Sequence, residues 1–142
     1  MTDHVGSTPG WNLGLRFVLE LAAFAGFAVL GWQLGGDGLL AAELAVLSLL
    51  IAATIWGVFA VPGDPSRSGK APVPVPGVVR LVLELAVFLG GAAAFTVVGQ
   101  WLVTALFCVA LAVHLVFSVP RLTWLVRQPG RGARQEARLE ER

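Results

Sequence analysis

The sequence holds one cysteine, Cys108, and it lies in the middle of an apolar run. An intramolecular disulfide and a cysteine-based metal site are thereby excluded, and Cys108 reads as a small apolar side chain. Charge is scarce, with 13% of the 142 residues charged against 56% hydrophobic. Soluble domains carry about 25% charged residues, so this balance excludes an ordinary soluble domain. The two histidines, His4 and His114, do not both fall in apolar runs, which argues against haem ligation. No nucleotide-binding loop, zinc motif, serine or cysteine triad or nucleic-acid-binding module occurs. The chain is accordingly read as not an enzyme, with no cofactor, no metal and no nucleic-acid partner. Met1 to Asn12 lacks basic residues and contains Asp3 and His4, which argues against a cleaved signal peptide.

What is present is four apolar runs, Leu13 to Leu34, Leu39 to Val61, Val78 to Val98 and Trp101 to Val119. Each approaches the ~20 residues that an α-helix needs to cross a hydrocarbon core of ~30 Å. The runs are continuously apolar rather than alternating, which favours helices over barrel strands. The expected fold class is all-α, a polytopic membrane protein of four transmembrane helices. The connections at Gly35 to Gly38 and at Gly99 with Gln100 are short enough to close antiparallel helical hairpins. Neither holds Lys or Arg, whereas Arg16, Arg67, Lys70, Arg80 and the six arginines from Arg121 to Arg142 all fall at the other ends of the runs. The positive-inside rule then places both termini and the loop of residues 62–77 in the cytoplasm, making this a cell-membrane protein.

The two hairpins resemble each other. LRFVLELAAF at 15–24 and VRLVLELAVF at 79–88 agree at seven of ten positions, and IWGVFAVP at 55–62 parallels VHLVFSVP at 113–120. The pattern predicts two tandem hairpin repeats, about 12–62 and about 78–127, within a four-helix domain spanning 1–128. The linker 62–77 contains five prolines and is expected to be extended and polyproline-like, as a spacer or a proline-recognition segment. RLTWLVR at 121–127 is expected to continue the last helix into the interface, and residues 129–142 form a polar tail, solvated or bound to anionic lipid.

The candidate functional residues are charged positions inside the runs. Arg16 with Glu20, and Arg80 with Glu84, are spaced i, i+4, so each pair shares a helix face about 10 Å inside its span. Carboxylates at that depth need partners, either the arginine of their own helix or, in a crossed arrangement, Arg16 with Glu84 and Arg80 with Glu20. His114 falls at a similar depth, with Trp56 at the matching place in the first repeat; it either relays a proton or completes a polar layer. Glu43 lies near the other end of its span, to be satisfied by protonation, by Gln33, Gln100 or Thr104, or by a cation at an oligomer interface. Small residues at Ala22 and Gly26, Gly31 and Gly35, and Gly90 and Ala94 have the spacing of close helix contacts.

The stretches NLGLRFVLELAAF, WGVFAVP and RLVLELAVF resemble the YrdB family, small bacterial membrane proteins with four predicted spans and a domain of unknown function. The resemblance covers about Trp11 to Gln128. It implies the four-span topology and marks Arg16, Glu20, Trp56, Pro62, Arg80 and Glu84 as motif positions, without implying an activity. Two functions are carried forward. One is a non-enzymatic accessory or scaffold subunit in the lipid bilayer, with a membrane-protein partner or further copies of itself. The other is an oligomeric transporter or channel for an ion or small solute, using Glu20, Glu84 and His114.

Overall fold

The structure is a computed structural model that describes residues 8–64, 66–67, 70–129 and 139–140. Most of the tail at 129–142, and the residues 1–7 on which the reading of the N-terminus partly rests, lie outside the described residues. The order of elements is α1 (Gly10–Gly35), α2 (Leu39–Val58), β1 (Phe59–Ala60), β2 (Val73–Pro74), α3 (Gly77–Val97), α4 (Trp101–Phe117) and α5 (Val119–Val126). The protein is helical; α1, α2 and α3 are long and apolar enough to cross a membrane, and α4 with α5 passes only if the bent pair counts as one span.

Glycines set the two tight turns. Gly36 and Gly38 have φ of 75° and 76°, and Gly99 has φ of 78°, a region that L side chains seldom adopt, so the chain reverses within a few residues. Prolines set the other ends. Pro62 would take from Val58 the hydrogen bond that continues α2, and the helix stops there with Phe59 extended. Pro120 likewise cannot donate to Val116. The chain bends by 69° between α4 and α5, so the expected straight continuation through 121–127 is replaced by a separate helix.

The linker also departs from expectation. Val73–Pro74 pairs in parallel with Phe59–Ala60, and the Val75 amide donates to the Ala60 carbonyl at 3.0 Å. The loop is therefore folded back onto the bundle rather than extended. The physical reason lies in Asp64 and Ser66, whose side chains bond to Arg121 and Arg16 at the bundle end.

The core is built around α1 and α3: Leu19, Ala23, Val87, Phe88 and Ala92 pack with Trp56, Phe107 and Leu111. Close approach depends on small residues. A Cβ on Gly31 would collide with the Leu44 backbone and the Ser48 hydroxyl, one on Gly91 with Ala23, and one on Gly77 with the backbone of Leu125. Ser48 uses the space at the α1–α2 contact to donate across to the Phe27 carbonyl at 2.9 Å. Substituting Gly31 by Leu should wedge α1 from α2 at a cost of about 1–3 kcal/mol. A lower melting temperature in detergent for Gly31→Leu, with Gly14→Leu unchanged because nothing lies near that Cβ, is the expected readout.

Candidate functional site

Beyond its apolar core the bundle buries a layer of ionic and polar side chains at the end away from the two tight turns. Asn12, Arg16, Asp64, Arg80, Glu84, His114, Ser118 and Arg121 are all at most 3% exposed. Glu84 is the centre. Its carboxylate accepts from Arg121 at both oxygens, Nη1 to Oε1 at 2.9 Å and Nη2 to Oε2 at 3.1 Å, and from Arg16 Nη2 at 3.2 Å. A paired fork of this kind is among the stronger ionic contacts available to a protein. Its own i, i+4 neighbour Arg80 stands at 3.9 Å, the longest of these pairs.

Arg16 is shared three ways, donating to Glu20 at 3.0 Å, Glu84 at 3.2 Å and the Ser66 hydroxyl at 2.7 Å. Both geometries that the sequence allows are thus present in part. Each arginine pairs along its own helix, and one crossed pair, Arg16 with Glu84, forms; no Arg80–Glu20 pair forms among the described residues.

Arg80 has another task. Its Nη1 donates to the carbonyls of Trp56 at 2.9 Å and Phe59 at 2.7 Å, and Arg67 adds a bond to Trp56 at 3.1 Å. These carbonyls end α2, where acceptors lack helical donors and the macrodipole favours cations. The Arg80 guanidinium lies 4.3 Å from the Trp56 ring centroid, and that of Arg16 lies 5.2 Å from it. Trp56 therefore offers its π-face to two cations, which partly offsets their removal from water. Nε and Nη2 of Arg80 have no hydrogen-bond acceptor.

Arg121 joins the loop to the layer. Besides Glu84 it holds Asp64, Nε to Oδ1 at 3.1 Å and Nη2 to Oδ2 at 2.8 Å. Asp64 also accepts from the Ser66 amide and hydroxyl at 2.9 and 2.8 Å. Burial of this loop carboxyl would raise its pKa, but the Arg121 hydrogen bonds and charge, with the Ser66 donors, outweigh burial and hold it at about 2.

His114 lies beside this cluster without bonding to either glutamate. Its Nδ1 meets the Asn12 side-chain oxygen at 2.9 Å, and the Asn12 amide donates to Ser118 at 3.0 Å. Phe88 presents its ring at 6.1 Å in an edge-on arrangement. Glu43 is placed apart from all of these, exposed on α2, with no hydrogen bond or ion pair to any described residue. The donor expected from Thr104 is committed elsewhere: its hydroxyl donates to the Gln100 carbonyl at 3.2 Å and accepts from the Thr96 hydroxyl at 3.2 Å.

Sequence patterning does not single out Asn12, Asp64, Ser66, Ser118 or Arg121. Spacing alone could have flagged Asn12, which precedes Arg16 by four residues on one face, and Ser118, which follows His114 by four. Among the described residues no group of three or more His, Cys, Asp or Glu is placed to hold a metal ion. As built, the layer gives each of its carboxylates a cationic partner and fastens α1, α3, α5 and the loop of Asp64 together.

Apolar helices of spanning length, joined through a buried ionic layer, define a helical membrane protein. The chain matches, over residues 14–113, the family described as "Protein of unknown function (DUF2568)", and it belongs to that family. It is also 38% identical over 117 residues to the uncharacterized protein YrdB of Bacillus subtilis (strain 168), a span covering 82% of this chain and 94% of that protein. No solved structure matches the chain.

The sharing of Arg121 between two carboxylates sets its expected cost of removal. Replacing Arg121 by Ala leaves both without their main partner and should cost about 3–5 kcal/mol, and Lys, with no fork, should recover less than half of it. Unfolding of purified protein in detergent measures both. Asp64 has a lowered pKa in the folded protein, so its contribution is present above about pH 4 and is lost as the pH falls through about 2. Asp64→Asn should therefore be less stable than the parent by about 2 kcal/mol at pH 7, with the gap closing between about pH 4 and about pH 2.

Proposed function

We propose that the chain is a non-enzymatic accessory or scaffold subunit of the cell membrane, with its charged layer on the cytoplasmic side together with both termini and the loop of Asp64. The observation that carries this reading is where the buried charge goes. Both oxygens of Glu84 and three of the donors of Arg16 and Arg121 are spent on one another, which fastens segments of the chain rather than leaving a charged group open to a substrate. Buried pairs of this kind serve packing and specificity in some systems, and here they would fix a rigid face for a partner. The orientation rests on the absence of Lys and Arg from the turns at Asp37 and Gln100.

The transport reading draws on Glu20, whose side chain keeps 18% exposure while its partner Arg16 is buried. It requires Glu20, Glu84 and His114 to handle an ion in an oligomer. Against it stands the groove between α1, α2 and α3, of about 370 Å³, lined by Phe27, Ile51, Ile55, Leu83 and Val87, which suits an acyl chain better than an ion.

Native mass spectrometry of the protein extracted from its own membranes in mild detergent should show a stable complex containing an unrelated membrane protein. Flux in liposomes that is lost in a folded Glu20→Gln or Glu84→Gln variant would overturn the scaffold reading in favour of transport. Alkaline phosphatase joined at Asp37 should be active and at Lys70 inactive; the reverse pattern would overturn the orientation.

A further inference from the structure

Glu43 is the polar group that the layer does not use. Within α2, the residues facing the bundle are Ala41, Ser48, Ala52 and Trp56, buried or, for Ser48, bonded to α1. At about 100° per residue, Glu43, Leu47, Leu50, Thr54 and Gly57 lie on the opposite side of the same helix. All five are exposed, Leu47 and Leu50 by 52% and 54%. Their spacing of 4, 3, 4 and 3 residues is that of a seam between two helices packed side by side.

This stripe differs from the outward face of α4, where Leu102, Leu106, Val109 and Val116, with the small Ala105 and Ala112, present no polar group, as suits a lipid-facing surface. On α2 the stripe starts with a carboxyl group and ends in Thr54 and Gly57, and a Cβ at Gly57 would meet nothing within 4 Å. Small residues let helix backbones approach closely, and a polar group facing hydrocarbon gains a partner only from another chain. Near Glu43 this side of α2 forms a shallow, open depression lined by Ala42, Glu43, Val46, Leu47 and Leu50.

We propose that this face of α2 docks a second copy of the chain, forming a two-fold dimer in which the two Glu43 carboxyl groups hydrogen-bond each other. A second copy is the occupant that the polar group selects. Two copies inserted in the same sense are related by an axis along the membrane normal, so their α2 helices run parallel and each residue of the seam meets its own counterpart. Glu43 then needs no cation, because one carboxyl donates the proton that the other accepts. A heterologous helix would have to bring its own donor to the same depth, whereas the two-fold supplies one by symmetry. The dimer leaves the ionic layer untouched, and it is independent of the accessory reading.

The test is oxidative cross-linking in native membranes, in a Cys108→Ser background, with single cysteines at Leu47, Leu50 and Thr54 on the seam and at Val82 and Leu106 on the outward faces of α3 and α4. Dimeric disulfide products from the seam positions at least tenfold above the controls are expected. Glu43→Ala should lower the dimer fraction at least tenfold and leave folding unchanged, since Glu43 bonds to no described residue, and Glu43→Gln should retain the dimer through paired amides. No product from the seam, equal products from seam and controls, a product with a different protein, or a dimer indifferent to Glu43→Ala would each overturn the proposal.

Discussion

A carboxylate enclosed by helices stays ionised only if cations are brought to it, and Glu84, with no exposure at all, is that carboxylate here. Its helical neighbour Arg80 does not serve it closely, because that guanidinium is drawn to the free carbonyls ending α2 and to the face of Trp56. The deficit is met from elsewhere in the chain, by Arg16 of α1 and Arg121 of α5. Much of the remaining geometry of this end is a consequence. To deliver Arg121 the chain must turn sharply after α4, which Pro120 imposes. Once delivered, Arg121 has donors to spare, and these hold Asp64 and with it the loop.

Periodicity and composition make the helices legible, because long apolar runs and glycine or proline stops act locally. The i, i+4 pairs are legible for the same reason, and Arg16, Glu20, Arg80, Glu84, Trp56 and His114 all fall at the polar end of the bundle. Which arginine serves which acid is legible only in part. The duplication suggests the crossed pair of Arg16 with Glu84, which forms across 68 positions, but Arg121 and Asp64 are 57 apart and neither spacing nor repeat connects them. Arg121 reads as the start of an interfacial continuation of the last helix, and only the bend of the chain shows that it points inward. The linker misleads for a related reason: proline content describes local stiffness, whereas its position is decided by one aspartate that finds a distant arginine.

The Val-Pro endings at 61–62 and 119–120 show where sequence likeness stops determining structure. In both places proline interrupts the helix, as its missing N–H requires. The continuations differ, a two-residue strand at the first ending and a helix at the second, because Asp64 and Arg121 differ in sign and meet each other. Similar hairpins thus become dissimilar at the end where they must lock together.

The two ends of the bundle are held by different physics. At the turn end, glycines and Ser48 bring α1 and α2 into contact, a short-range attraction that needs no charge. At the other end, Arg16, Arg67, Arg80 and Arg121 face Glu20, Glu84 and Asp64, four positive groups against three negative ones. Arg67 meets a carbonyl and no carboxylate among the described residues, and Arg80 reaches Glu84 only at 3.9 Å, with its Nε and Nη2 beside a ring rather than a hydrogen-bond acceptor. A π-face attracts a cation without accepting its hydrogen bonds as an oxygen would, so Trp56 reduces the cost of the surplus without pairing it. A bundle end with more positive than negative groups is stabilised by anionic groups brought close to it.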